Sequence, residues 1–179
     1  MRVISGTARG KKLKSLDEIT TRPTLDRVKE ALFNIIQFNI KNVNVLDLFS
    51  GSGALAIEAL SRGAKHAVCV DHSSEAIKII KQNLELTRLS DKAKVINSDY
   101  SQALKSFDEK FDIIFLDPPY ETDFLEKSIT QIIKLNLLTE DGFFIIETND
   151  RKKVEEIGGL EIYDERKYGK VLLIFARKG

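Results

Sequence analysis

Val45-Leu46-Asp47-Leu48-Phe49-Ser50-Gly51-Ser52-Gly53-Ala54-Leu55-Ala56 is the stretch that decides the fold. A short apolar run ends on two closely spaced glycines, and residues Ala54 to Leu60 then read as a helix. Strand, glycine turn and helix in that order open a βαβ unit, and Gly51 to Ala56 fits the pattern G-x-G-x-x-A.

Toward the C-terminus the alternation continues. Ala67 to Val70 is a strand, and a helix follows from about Ser74, with Ala76, Ile77, Ile80 and Leu84 at helical spacing. Lys94 to Ile96 is a short strand, and Ile113 to Leu116 is fully apolar. A helix through Leu125, Ile129, Ile132 and Ile133 leads to the strand Phe143 to Ile146. Strands spaced by helices predict an α/β fold, a doubly wound, mostly parallel sheet with helices on both faces. The end departs from this rhythm. Leu160 to Tyr163 and Val171 to Phe175 flank the turn Tyr168-Gly169-Lys170 with no room for a helix, so they predict an antiparallel hairpin.

Toward the N-terminus, Val3-Ile4 and Lys12-Leu13 can pair across Gly6 to Gly10. Pro23 fits a helix start, and the helix would turn Val28, Ala31, Leu32, Ile35 and Ile36 inward. The expected organisation is an N-terminal extension, residues 1–40, ahead of a main domain, residues 41–179.

Among 179 residues there is a single cysteine, Cys69, inside an apolar run, which excludes a disulfide framework. No apolar stretch approaches a membrane span and no signal segment opens the chain, so a reduced cytoplasmic location is expected, as a monomer. The net charge of +1 excludes a general polycation. Residues 1–14 nevertheless carry Arg2, Arg9, Lys11, Lys12 and Lys14 without a carboxylate, a candidate footprint for phosphates or simply a solvated surface.

The glycine pattern alone serves dinucleotides and S-adenosylmethionine alike. Asp71 ends the second strand, where a carboxylate can accept from ribose hydroxyls. Two further acids favour S-adenosylmethionine over NAD. Asp47 lies inside the strand before the glycines, where it can organise the loop and meet a cationic amino group. A buried aspartate lacking such a partner would be costly. Asp99, in Ser98-Asp99-Tyr100 after the third strand, can accept from an adenine amino group. The expected cofactor set is Asp47, Phe49, Gly51, Gly53, Asp71, His72, Ser98, Asp99 and Tyr100, with no metal.

Asp117-Pro118-Pro119-Tyr120 directly follows the strand ending at Leu116. Two prolines stiffen the loop. An exocyclic amino group of a base is a poor nucleophile because its lone pair is delocalised into the ring. The Asp117 carboxylate and the Pro118 carbonyl can each accept one of its N–H groups and localise that pair, while Tyr120 stacks on the base for about 1–3 kcal/mol. The chemistry is methyl transfer to an amino group, with positioning as its main device. A base in a duplex would have to be flipped out. The motif by itself leaves adenine, cytosine and guanine open. With the terminal hairpin, it points to a class I methyltransferase fold, Rossmann-like and doubly wound.

Three segments, Arg22 to Asn34 (RPTLDRVKEALFN), Leu46 to Ala59 and Asp117 to Tyr120, are similar to the bacterial enzymes that methylate guanine N2 at one position of 16S ribosomal RNA. The likeness extends over essentially the whole chain, including Arg9-Gly10-Lys11-Lys12-Leu13. It implies an S-adenosylmethionine-dependent enzyme acting on the small ribosomal subunit or its precursor, without metal. It places Arg22-Pro23-Thr24 near cofactor and base and makes Arg22 and Arg27 candidates for phosphate contact. The expected RNA set is Arg2, Arg9, Lys11, Lys12, Arg22, Thr24 and Arg27. Tyr120 stands where members often have Phe, and Ser5-Gly6 where they often have two glycines. The alternatives are a DNA adenine or cytosine amino-methyltransferase, an NAD-dependent oxidoreductase and a noncatalytic RNA-binding assembly factor.

Overall fold

A computed structural model describes residues 1–16 and 23–179. In chain order the elements are α1 (Pro23–Ile35), β1 (Asn44–Asp47), α2 (Ala54–Ser61), β2 (His66–Asp71), α3 (Ser74–Thr87), β3 (Ala93–Asn97), α4 (Tyr100–Ser106), β4 (Phe111–Leu116), α5 (Phe124–Lys134), β5 (Leu138–Thr148), α6 (Arg151–Glu155), β6 (Leu160–Tyr168) and β7 (Val171–Lys178). The strands form one seven-stranded sheet in the order β3-β2-β1-β4-β5-β7-β6. β1 to β5 run parallel, and β7 is antiparallel to both β5 and β6. The terminal hairpin closes the sheet as the spacing predicts. Strand order reverses between β1 and β4, which puts the switch point, where such sheets bind ligands, above those two carboxyl ends.

Period-two alternation sends successive residues of each strand to opposite faces. Val45, Cys69, Ile113, Phe115 and Ile145 pack under α1, α2 and α3. Leu46, Val68, Ile114, Leu116 and Ile146 pack under α4, α5 and α6. Burial pushes the Cys69 thiol up to about 12, so it is an inert core residue.

Short elements escaped the periodicity. Seven-residue α4 and five-residue α6 span too few turns to show a repeat. Both start on aspartate caps, Asp99 accepting from the Ser101 and Gln102 amides and Asp150 from that of Lys152. β6 runs on through charged Asp164 to Lys167, as suits an edge strand.

The first residues pair as a tight loop. Arg2 bridges Lys12, the Val3 amide donates to Lys11 O at 2.9 Å, and that of Leu13 donates to Met1 O at 2.9 Å. Val3, Ala8 and Leu13 are buried in the same cluster as α1 and α2. What holds the loop down is Glu58 of α2, with no accessible surface. Its carboxylate accepts from the amides of Ile4 (2.9 Å) and Ser5 (3.0 Å) and from Arg62 Nε (2.8 Å), and pairs with Lys29 Nζ of α1 at 3.3 Å. Gly6 keeps φ +85°, and a Cβ there would lie 1.8 Å from Ser61 O. Of the usual glycine pair, Gly6 is thus the one the packing requires, and Ser5 fits beside it. On α1, Val28 and Leu32 are buried as expected, as is Ile36 just past its end, while Ala31 and Ile35 are half-buried. Phe33 and Lys29 are buried too, because the helix is covered on more than one side: Phe33 meets Phe115 at 5.8 Å, and Lys29 faces Glu58.

Candidate active site

The carboxyl ends of β1 to β5 deliver the acids. In register, Asp47 lies beside Cys69 on β2 and Phe115 on β4, and Leu116 lies beside Ile146. Asp117, just past β4, therefore stands beside Glu147 near the end of β5. A cavity of about 670 Å³ opens above these ends, between Phe49, Gly51, Asp71, Asp99, Tyr100 and the Asp117 to Tyr120 loop. A smaller cavity of about 200 Å³, covered by Met1 and α1, reaches Asp47, Gly51, Asp117 and Glu147. Asp117 and Gly51 line both.

Gly53 caps α2 with φ 78°, and Gly51 has φ 55°, both in the left-handed region that favours glycine. A Cβ at Gly51 would meet nothing within 4 Å, so its backbone faces open cavity. The loop is tied to β2 by Asp71, whose Oδ2 accepts from the Gly51 amide at 2.9 Å and whose Oδ1 accepts from the Ser73 amide at 2.9 Å. Asp71 thus organises the loop from β2, a role the sequence suggests for Asp47. Asp99 likewise does two jobs: it caps α4 and lines the cavity. Ser98 and His72 also line it, His72 largely exposed. Phe49, Tyr100 and Phe124 form an aromatic wall, with centroids 5.1 to 6.4 Å apart.

Asp47 is 2% exposed, and its Oδ2 has no hydrogen-bond partner among the described residues. Burial pushes its carboxyl up to about 7. An orphaned acid at a cavity floor suits a cationic ligand group. Together with the aromatic wall and the carboxylates at the ends of β2 and β3, it fits S-adenosylmethionine: apolar surface for a base, acceptors for ribose and amino groups, an anion for the ammonium.

Asp117 is exposed, but to the cavity, so an occupant would complete its burial. Surrounding protein, then the carboxylates of Glu147 and Asp47, raise its carboxyl well above the usual range. Burial also raises Glu147, against the Tyr120 hydroxyl that donates to its Oε1 at 3.2 Å. Pro118 is buried and Tyr120 lines the cavity. Lys153 of α6 donates to Tyr120 O at 2.6 Å, which pins the loop from outside.

Sequence reasoning missed Glu147, Phe124, Lys29 and Lys153. Glu147 had a signal, a carboxylate directly after the apolar run Phe143 to Ile146; the others act through tertiary contacts. Of the expected RNA contacts, Arg2, Arg9, Lys11, Lys12 and Arg27 are exposed. Arg2 also donates to Gly10 O, and its own carbonyl accepts from Lys29 Nζ at 2.6 Å. Met1 and Lys29 line the smaller cavity, so the basic segment starts at its edge. Arg22 lies outside the described residues, and Thr24 is described only as part of the α1 backbone.

A seven-stranded sheet with this order and terminal hairpin, carrying a glycine turn and an acid-proline-proline-aromatic loop at its switch point, is a class I methyltransferase fold. Solved structures agree. The chain superimposes on a protein titled putative methyltransferase yhhF from Escherichia coli with a TM-score of 0.86 at 31% identity, covering 99% of this chain and 97% of that one. A family model described as conserved hypothetical protein 95 matches residues 1–177. The chain is 40% identical to a putative rRNA methyltransferase, YlbH, of Bacillus subtilis over the full length of both. It is 37% identical to ribosomal RNA small subunit methyltransferase D of Haemophilus influenzae, over 85% of this chain and 80% of the relative. The protein belongs to this family, that of the small-subunit methyltransferase D proteins.

Proposed function

We propose that this protein transfers the methyl group of S-adenosylmethionine to the exocyclic N2 of a specific guanine in the 16S ribosomal RNA of the small subunit. The observation that carries it is the position of Asp117 at the junction of the two cavities, with Pro118 and Tyr120 held around it. Relatives at 37% identity named as small-subunit ribosomal RNA methyltransferases support the RNA target. The resemblance of the Arg22 to Asn34 segment supports guanine.

Bound in this site, S-adenosylmethionine supplies an electrophilic methyl group on a sulfonium. Asp71 accepts from the ribose, Asp99 from the adenine amino group, and Asp47 meets the ammonium; Phe49, Gly51, Gly53, His72, Ser98 and Tyr100 shape the seat. The Asp117 carboxylate and Pro118 carbonyl accept the two N–H groups of the target amine, which draws its nitrogen toward tetrahedral geometry and frees the lone pair. Tyr120 stacks on the base. Burial keeps protons on Asp117 and Glu147 to higher pH than usual, for Asp117 with the added repulsion of Glu147 and Asp47, and a cationic occupant favours their charged forms. The exposed cations of residues 1–14, with Arg22, Thr24 and Arg27, form the RNA contact of an N-terminal extension over residues 1–40. The main domain, residues 41–179, carries the transfer.

The test is to incubate labelled S-adenosylmethionine with small subunits, free 16S RNA and duplex DNA, and to map the product by nuclease digestion. N2-methylguanosine at one position of the RNA is expected. Label in DNA, or on adenine or cytosine, would overturn the proposal.

A further inference from the structure

Asp117 and the Pro118 carbonyl would grip any amino group, so they cannot choose among bases. We propose that Glu147 makes the choice by accepting the N1–H of guanine beside the amino group held by Asp117, an assignment that rests on the guanine-N2 reading above. Along its pairing edge guanine presents the N2 amino group and N1–H as contiguous donors. Adenine and cytosine present a ring-nitrogen lone pair beside their amino group. A second carboxylate next to Asp117 rewards the first pattern and repels the second.

The geometry places such a carboxylate. Leu116 and Ile146 are register partners, so Asp117, just past the end of β4, and Glu147, still within β5, are neighbours, and both line the smaller cavity. The Tyr120 hydroxyl donates to Glu147 Oε1, which aims the group and favours its charged, accepting form. Oε2 has no partner among the described residues and is left for a ligand. Lys29, which lines the same cavity, is committed to Glu58 and Arg2 O, and Lys153 to Tyr120 O. The site thus offers contiguous acceptors to contiguous donors. Tyr120 links the stacking surface to the reading residue, a task for its hydroxyl that Phe could not perform.

The test uses the full chain at pH 8 and small subunits whose RNA carries, by ligation, either guanine or 2,6-diaminopurine at the target. The analogue keeps the N2 amino group but bears a lone pair at N1. Wild type should prefer guanine in kcat/KM by roughly 10- to 100-fold, the scale of one good base contact. Glu147→Gln, whose amide can donate as well as accept, should lose transfer to guanine and gain on the analogue, so that the preference collapses or inverts. Glu147→Asp, which keeps the charge on a shorter stem, should slow guanine transfer while keeping its sign, and it serves if the glutamine variant does not fold. Equal slowing of both substrates, with the preference unchanged, would make Glu147 merely structural and overturn the assignment. No transfer by wild type to either substrate would overturn the function itself, and the assignment with it.

Discussion

Asp47 offers a sharp test of how this site is charged. Its carboxyl is buried, unpartnered at Oδ2 and pushed from the ordinary 3.8 to about 7. The native state therefore holds that proton more tightly than the unfolded chain. Stability from the neutral form is complete below about pH 4 and is lost as the pH rises through about 7. At 1.36 kcal/mol per pKa unit, the ionised acid costs the ligand-free fold about 4 kcal/mol by pH 8. Asp47→Asn keeps the shape and removes the charge. Urea unfolding of both proteins between pH 4 and 8 should show near-equal stability at the acid end and a variant more stable by about 4 kcal/mol at pH 8. With a slope of about 2 kcal/mol per molar, that moves the midpoint by roughly 2 M. The same variant should bind S-adenosylmethionine more weakly. Wild-type affinity should rise with pH up to about 7, because binding needs the ionised acid and releases its proton, while the variant's affinity stays flat. A stability difference independent of pH, or a variant weaker than wild type at pH 8, would show that the fold itself compensates the Asp47 charge and refute the reasoning.

Asp117→Ala should leave S-adenosylmethionine affinity, measured calorimetrically, within about threefold and cut turnover by on the order of 10²- to 10⁴-fold; equal loss of both would make Asp117 structural. Glu58→Ala strands the buried Lys29 charge and should cost about 3–5 kcal/mol. Melting should drop by roughly 6–20 °C, with amide exchange accelerated at Ile4 and Ser5; unchanged exchange there would contradict the anchoring role of Glu58. Replacing Arg9, Lys11 and Lys12 by alanine should weaken RNA binding and flatten its log–log salt dependence by roughly 2–3. An unaltered slope would remove those residues from the interface.

The sequence by itself determined the layered sheet, because each central strand is a short apolar run bounded by a glycine or an acid, and the longer helices repeat over enough turns to be seen. It also determined the stiffness of the Asp117 to Tyr120 loop, since two prolines between an acid and an aromatic leave little conformational choice. Short α4 and α6 were invisible for want of turns, and so was the charged second half of β6, Asp164 to Tyr168, because pairing with β7 holds it, not burial. Only the tertiary structure decided the company each acid keeps. Asp71 and Asp47 looked alike in the chain, yet Asp71 takes a backbone amide on each oxygen and keeps acceptor sites free, whereas Asp47 Oδ2 is buried without a partner among the described residues. Glu147 stands thirty residues from Asp117 in sequence and beside it in space, since parallel pairing of β4 with β5 sets Leu116 against Ile146. Local pattern specifies which groups a strand carries; register and burial specify which groups meet and what charge they can hold.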